Sequence, residues 1–259
     1  HSAETVAQFA TALTTYVRDH AVEHLVLDIR GNPGGNGTLN RPLIQGVIRA
    51  ERLWRPGGLL VLIDRGTFSA AVMLAVALEA ETPAILVGES TGGAPNGYGD
   101  SRRVRLPHSG LTVRASTLYW QLSDPRDPRD AVTPLVEVTP RFADFRDGRD
   151  AALDAALALI DAPGDPAGHW QGTVGYGYER PAVTLVLERG AAGWSGRIAI
   201  PGVGVADQEL GELSVQGAEV TGTLSGAGPD VRVRLRATAG ALVGTLEVAG
   251  AVYSMVLRH

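Results

Sequence analysis

LLVLIDRGTFSAAVMLAVAL, residues 59–78, runs from five consecutive apolar residues through a glycine corner into a second, helix-forming apolar stretch. An unbroken apolar run closed by turn residues reads as a strand buried on both faces, and such strands belong to parallel sheets covered by helices. Ser69 stands at the corner. A serine there has two readings, an N-cap for the helix that follows or a nucleophile held out at the end of a strand. The residues alone leave both open.

The same rhythm continues on either side. Apolar residues at Val6, Phe9, Ala10, Leu13, Tyr16 and Val17 repeat with a helical period, with Ser2 placed as N-cap. His24–Ile29 reads as a buried strand, 39–49 and 70–80 as helices, and Ala84–Val87 as another strand. Alternating segments follow at 102–106, 111–114 and 135–138, then a helix at 150–160. This predicts an α/β domain over residues 1–163. DAPGDPAG, 161–168, is a Pro/Gly linker by composition. Beyond it the helical period disappears. Short alternating runs at 183–187, 196–200, 212–215, 220–224, 231–235, 242–248 and 252–257 are separated by glycine-rich turns. They predict a small antiparallel all-β accessory domain, sandwich or barrel, over 164–259.

Composition removes several chemistries. There is no cysteine, and all 23 basic residues are arginine. Without lysine the chain offers no lysine base, Schiff base or phosphate-loop lysine. A net charge of −5 gives no electrostatic reason to expect nucleic-acid binding. No apolar run approaches the roughly 18 residues of a membrane span. GNPGGNG, residues 31–37, lacks the spacing of a nucleotide fingerprint, and no His/Asp/Glu group has metal-ligand spacing, so no cofactor is expected. Nothing indicates an oligomeric state.

The chemistry concentrates in two loops that follow successive buried strands, RGNPGGN (30–36) and RGTFSA (65–70). Adjacent glycines leave backbone N–H groups uncovered, and a helix start adds more, so the pair suits a developing oxyanion beside a serine. HLVLDIRGNPGGN (24–36) resembles a segment of the C-terminal-processing (tail-specific) serine peptidases. LLVLIDRGTFSAA (59–71) resembles their nucleophile segment, and LVGESTGGAPN (86–96) the one after it, closest to the tricorn-like and interphotoreceptor-retinoid-binding-protein-like branch. The similarity runs over roughly residues 5–160. It implies a ClpP/crotonase-like fold with Ser69 as nucleophile and an oxyanion hole from Ala70 with Gly34 or Gly35. The substrate implied is a polypeptide, and an extracytoplasmic location follows by analogy. Relatives carry further strands upstream, so the resemblance also implies an N-terminally incomplete domain.

One departure is specific. Where the Ser–Lys branch carries its lysine, this chain has Ala94. The tricorn-like branch takes a histidine base from upstream, and none of His1, His20, His24, His108, His169 or His259 matches that position. Glu89, Asn96, Asp127 and Asp130 are candidates for an acidic partner or for substrate binding, with Tyr98 beside Asn96. The expected function is a serine peptidase-like hydrolase whose base is not identified in this chain. Two alternatives stand beside it, an inactive peptide- or small-ligand-binding module and a small-ester hydrolase.

Overall fold

A computed structural model describes residues 5–175, 178–224 and 231–259. Helix α1 (Val6–Asp19) starts at Thr5, whose side chain accepts from Gln8 N–H while Gln8 reaches back to the Thr5 N–H. This reciprocal cap replaces the one expected at Ser2, which with His1 lies outside the described residues. Strand β1 (Leu25–Asp28), helix α2 (Arg41–Ile48), strand β2 (Leu59–Ile63), helix α3 (Ala70–Glu81) and strand β3 (Ile85–Gly88) follow. After a hairpin of β4 (Asn96–Arg105) and β5 (Thr112–Gln121) come the short strand β6 (Val136–Glu137) and helices α4 (Phe142–Arg146) and α5 (Ala151–Ala158). The sheet order is β1-β2-β3-β6, parallel throughout, with Val61 opposite Leu27 and Leu86.

All five residues of β2 are buried, which explains their unbroken apolar character. Leu59, Val61 and Ile63 pack with Ala10 and Val17 of α1, Leu43 and Val47 of α2, and the apolar side of α3. Leu60 and Leu62 face the other way, with Ile85, Val87 and Ala156 of α5.

That second face is completed by the C-terminal half of the chain. Strands β7 (Gly168–Val174), β8 (Ala182–Gly190), β9 (Gly193–Ile200), β10 (Val205–Glu209), β11 (Gly211–Gln216), β12 (Glu219–Leu224), β13 (Val231–Ala237), β14 (Leu242–Val248) and β15 (Ala251–Arg258) form one antiparallel sheet. Each pairs with its sequence neighbour except β10 with β11, which are joined through Leu210 alone, and β15 pairs back with β7. The sheet is therefore a nearly closed barrel, open between β10 and β11. Its interior is filled by side chains including Trp170, Leu185, Ile198, Leu235 and Met255, so it holds a packed core. Ala241, Val243 and Val256 project outward onto Leu60, Leu62 and Ile85. Ser254 Oγ adds a buried 2.7 Å hydrogen bond to the Pro83 carbonyl.

Strands β7 and β10 were not expected from the sequence. In β7 only Trp170 and Val174 are fully buried and Gly172 lies between them; β10 has only Val205 and Ala206 as apolar residues. The hairpin β4–β5 is also longer than the segments 102–106 and 111–114, because Gly97, Gly99 and Asp100 hide its first half.

Candidate active site

In a parallel sheet the carboxyl ends of the strands share one edge, and ligand crevices form there. The loops after β1, β2 and β3 meet at this edge, and the first two are tied together by one carboxylate the sequence did not single out. Asp64 Oδ1 accepts from the N–H groups of Gly31 (2.8 Å), Gly66 (2.9 Å) and Thr67 (3.0 Å). Thr67, fully buried, donates its hydroxyl to the Ile29 carbonyl at 3.1 Å. Phe68 N–H donates to Asn32 O and Gly92 N–H to Thr67 O, both at 2.9 Å. A carboxylate just after a buried strand is the only sequence signal for Asp64.

Ser69 sits where β2 turns into α3, with φ +53° and ψ −119°. A non-glycine residue in such a conformation costs on the order of 1–3 kcal/mol and persists only where the surroundings impose it. Its side chain makes no cap hydrogen bond, so the helix-cap reading loses its basis. The hydroxyl is exposed and, among the described residues, has no hydrogen-bond partner. The elbow is braced by Ala71 N–H to Phe68 O (3.1 Å) and by Asn40 Nδ2 to Ala70 O (2.7 Å).

The glycine loop lies directly on this elbow. A Cβ on Gly34 would stand 2.6 Å from Ala70 N, 2.6 Å from Phe68 O and 2.7 Å from Ser69 Cβ. Gly34 N–H is taken by Asn32 Oδ1 at 2.9 Å. Gly35, at φ +150°, and Ala70 at the helix start have N–H groups without a partner among the described residues.

The other candidates scatter. Glu89 is at the crevice, its N–H donating to Ile63 O and its carboxylate 2.9 Å from Arg65 Nε. Asn96 is committed to the chain itself: Nδ2 donates to Asp124 O at 2.8 Å, and Oδ1 accepts from Leu122 and Ser123 N–H. Tyr98 stacks edge-on against Tyr119 with centroids 5.1 Å apart. Asp127 is buried and spent on Arg129, which in turn pairs with Glu79. Asp130 is exposed. His24 Nδ1 lies 3.0 Å from Gly57 O at the amino end of β1, the edge opposite Ser69. His20 stacks on Tyr16, His259 on Trp170, and His108 is in the β4–β5 turn. Among the described residues no histidine is hydrogen-bonded to Ser69.

The glycine loop is anchored from behind. Arg30 reaches Asp28 and Asp150 through two forked contacts, 2.7–3.0 Å long. Asp150 also caps α5 by accepting from Leu153 N–H. The Arg30 hydrogen bonds hold the Asp150 carboxyl down at about 2. Its folded value lies below the roughly 3.9 of a free aspartate, so its contribution is present above pH ~4 and lost as pH falls toward 2. Thermal melting between pH 7 and 2.5 is therefore expected to show an acid-side loss that Asp150→Asn, which keeps the cap, reduces. Partial exposure limits this to about 1 kcal/mol or less. An unchanged acid limb in Asp150→Asn would remove the pair from the account.

Residues 47–138 match peptidase family S41. The matched span takes in Ser69, Glu89 and the hairpin. Among solved structures, the photosystem II D1 C-terminal processing protease is similar at 25% identity, covering 54% of this chain and 40% of its own, with a TM-score of 0.39. A lipoprotein from Streptococcus agalactiae is similar at 13% identity, with 55% and 60% coverage and a TM-score of 0.33. The chain thus spans less than two thirds of either. No curated protein matches it. No helix among the described residues is long and apolar enough to cross a membrane.

Proposed function

We propose that the chain is a serine peptidase-like hydrolase in which Ser69 Oγ attacks a peptide carbonyl. The observation that carries this reading is the exposed, strained elbow at Ser69 with the Gly34 backbone pressed against it. Strain of this kind is retained where geometry matters more than stability. As the tetrahedral intermediate forms, its oxyanion would rest on the N–H groups of Ala70 and Gly35, since Gly34 N–H is already spent on Asn32. The N-terminal end of α3 adds a favourable dipole. The seryl proton passes to a base and then to the leaving amine; water releases the acyl group by the reverse sequence. No described residue stands as that base, so full activity requires one from elsewhere, an upstream segment or a partner.

The unpartnered Ser69 hydroxyl also favours a second reading, a peptide-binding module without turnover. Fluorophosphonate labelling with peptide mass mapping separates the two. The expected result is modification at Ser69, abolished in Ser69→Ala. A folded chain that stays unlabelled, alone and with any upstream extension, would sink the hydrolase reading.

A further inference from the structure

The hairpin β4–β5 stands apart from both cores. Its strands pair only with each other, and from Asp100 to the turn almost every residue is exposed. Ten residues per strand make an arm about 30 Å long. The register sets Val104 opposite Val113 and Arg103 opposite Arg114, with Arg105 opposite Thr112. Neighbouring pairs face opposite sides, so Arg103, Arg105 and Arg114 share one face of the outer arm, while Val104 and Val113 share the other with Arg102 and Ala115. Like charges directly opposite on adjacent strands are unfavourable. No carboxylate answers Arg102, Arg103, Arg105 or Arg114 among the described residues. The arm carries these four arginines against one acid, Asp100, on a chain whose net charge is −5.

The arm is rooted at the candidate active site. It begins at Asn96, after the loop whose Gly92 bonds Thr67 and whose Gly93 lies against the Phe68 ring. The Asn96 amide fixes its base to residues 122–124.

We propose that the arm docks an acidic, extended polypeptide and so selects the substrates of the Ser69 site. A two-stranded sheet leaves a backbone edge free on each strand, to which an extended chain can add as a further strand. Its carboxylates would meet the arginine face in charge-assisted hydrogen bonds, and its alternate residues the Val104–Val113 face. A polyphosphate would gain only the charge and would meet an acidic molecule behind it. The term substrate rests on the hydrolase reading; the binding does not.

The test is fluorescence anisotropy on the full chain carrying Ser69→Ala. The probe is a short fluorescein-labelled peptide alternating Glu and Thr, with a Lys-for-Glu peptide as comparison. The acidic peptide is expected to bind at least about tenfold tighter and to weaken between about 50 and 500 mM salt. Arg103→Glu/Arg114→Glu is expected to lose about tenfold in affinity with an unchanged melting temperature, because both residues are exposed. Val104→Thr/Val113→Thr, which keeps the charge, should cost less. Equal binding of the two peptides, or tighter binding of a single-stranded DNA of equal charge, would overturn the proposal. So would a dimer in sedimentation that the arginine variant dissociates, since the occupant would then be a second copy. Fluorophosphonate labelling of the unmutated chain keeps the readings apart. Labelling without acidic preference defeats the arm alone; preference without labelling defeats the hydrolase alone.

Discussion

Gly34→Ala is expected to abolish reactivity at Ser69 while leaving most of the chain folded. The added methyl would lie 2.6 Å from two backbone atoms, Ala70 N and Phe68 O, neither of which is a flexible side-chain end. Gly34 also has φ +91°, which an L-residue adopts only under strain. The loop must therefore back away from the elbow. A displacement on the order of 1 Å between reacting group and stabilising donors can cost about a hundredfold in rate. Strain and overlap together should cost on the order of 3 kcal/mol of stability. The comparison is Gly31→Ala in the same loop, where φ is +63° but a Cβ would meet nothing within 4 Å. That variant should lose only about 1 kcal/mol and keep most of its labelling rate. Labelling of Gly34→Ala at the unmutated rate would mean that close approach of the glycine loop to Ser69 is irrelevant to its reactivity.

What could be read from the sequence follows from how far each signal travels along the chain. Strand β2 is legible because both its faces are buried, so its apolar run is local and complete. The two faces meet different partners, and that is not local. Leu60 and Leu62 pack on Val243 and Val256 of the barrel, far away in sequence. The barrel's own strands carried the hint. Leu242-Val243 and Met255-Val256-Leu257 break the alternation expected of a half-exposed strand, because one side fills the barrel and the other covers the parallel sheet. Asp64 left no signal beyond its place just after a buried strand, since a carboxylate gathering backbone N–H groups has no spacing rule. The difference between Gly34 and Gly35 was equally hidden, because it depends on where Asn32 Oδ1 points. Asp127 looked available in a loop rich in Asp and Arg; its partner Arg129 is turned inward by Glu79, 50 residues away.

That last cluster gives the second large effect. Glu79 Oε2 lies 3.0 Å from Arg129, and Glu79 Oε1 lies 2.5 Å from Arg180, which also donates to the Thr133 carbonyl. Arg129 returns to Asp127, whose side chain is fully buried. Two arginines and two acids thus neutralise each other where α3, the 123–133 loop and the residues just before β8 of the barrel meet. Burial pushes the Arg180 pKa down, and the Glu79 charge opposes it. Glu79→Ala leaves both arginines nearly buried with one carboxylate between them, and Arg180 loses its only ion pair among the described residues. Removing one partner from a buried pair typically costs about 3–5 kcal/mol, because an uncompensated charge stays behind. For a chain of this size that corresponds to a fall in melting temperature of roughly 6–15 °C. Replacing the three groups together, Glu79→Leu with Arg129→Met and Arg180→Met, should recover much of the loss, since apolar substitutes avoid desolvating charges. Asp127 would then need Asn in its place to avoid becoming the stranded charge. If Glu79→Ala melts within about 1 °C of the unmutated chain, the cluster is solvated and contributes nothing to holding the barrel, which then rests on contacts such as Val243, Val256 and Ser254.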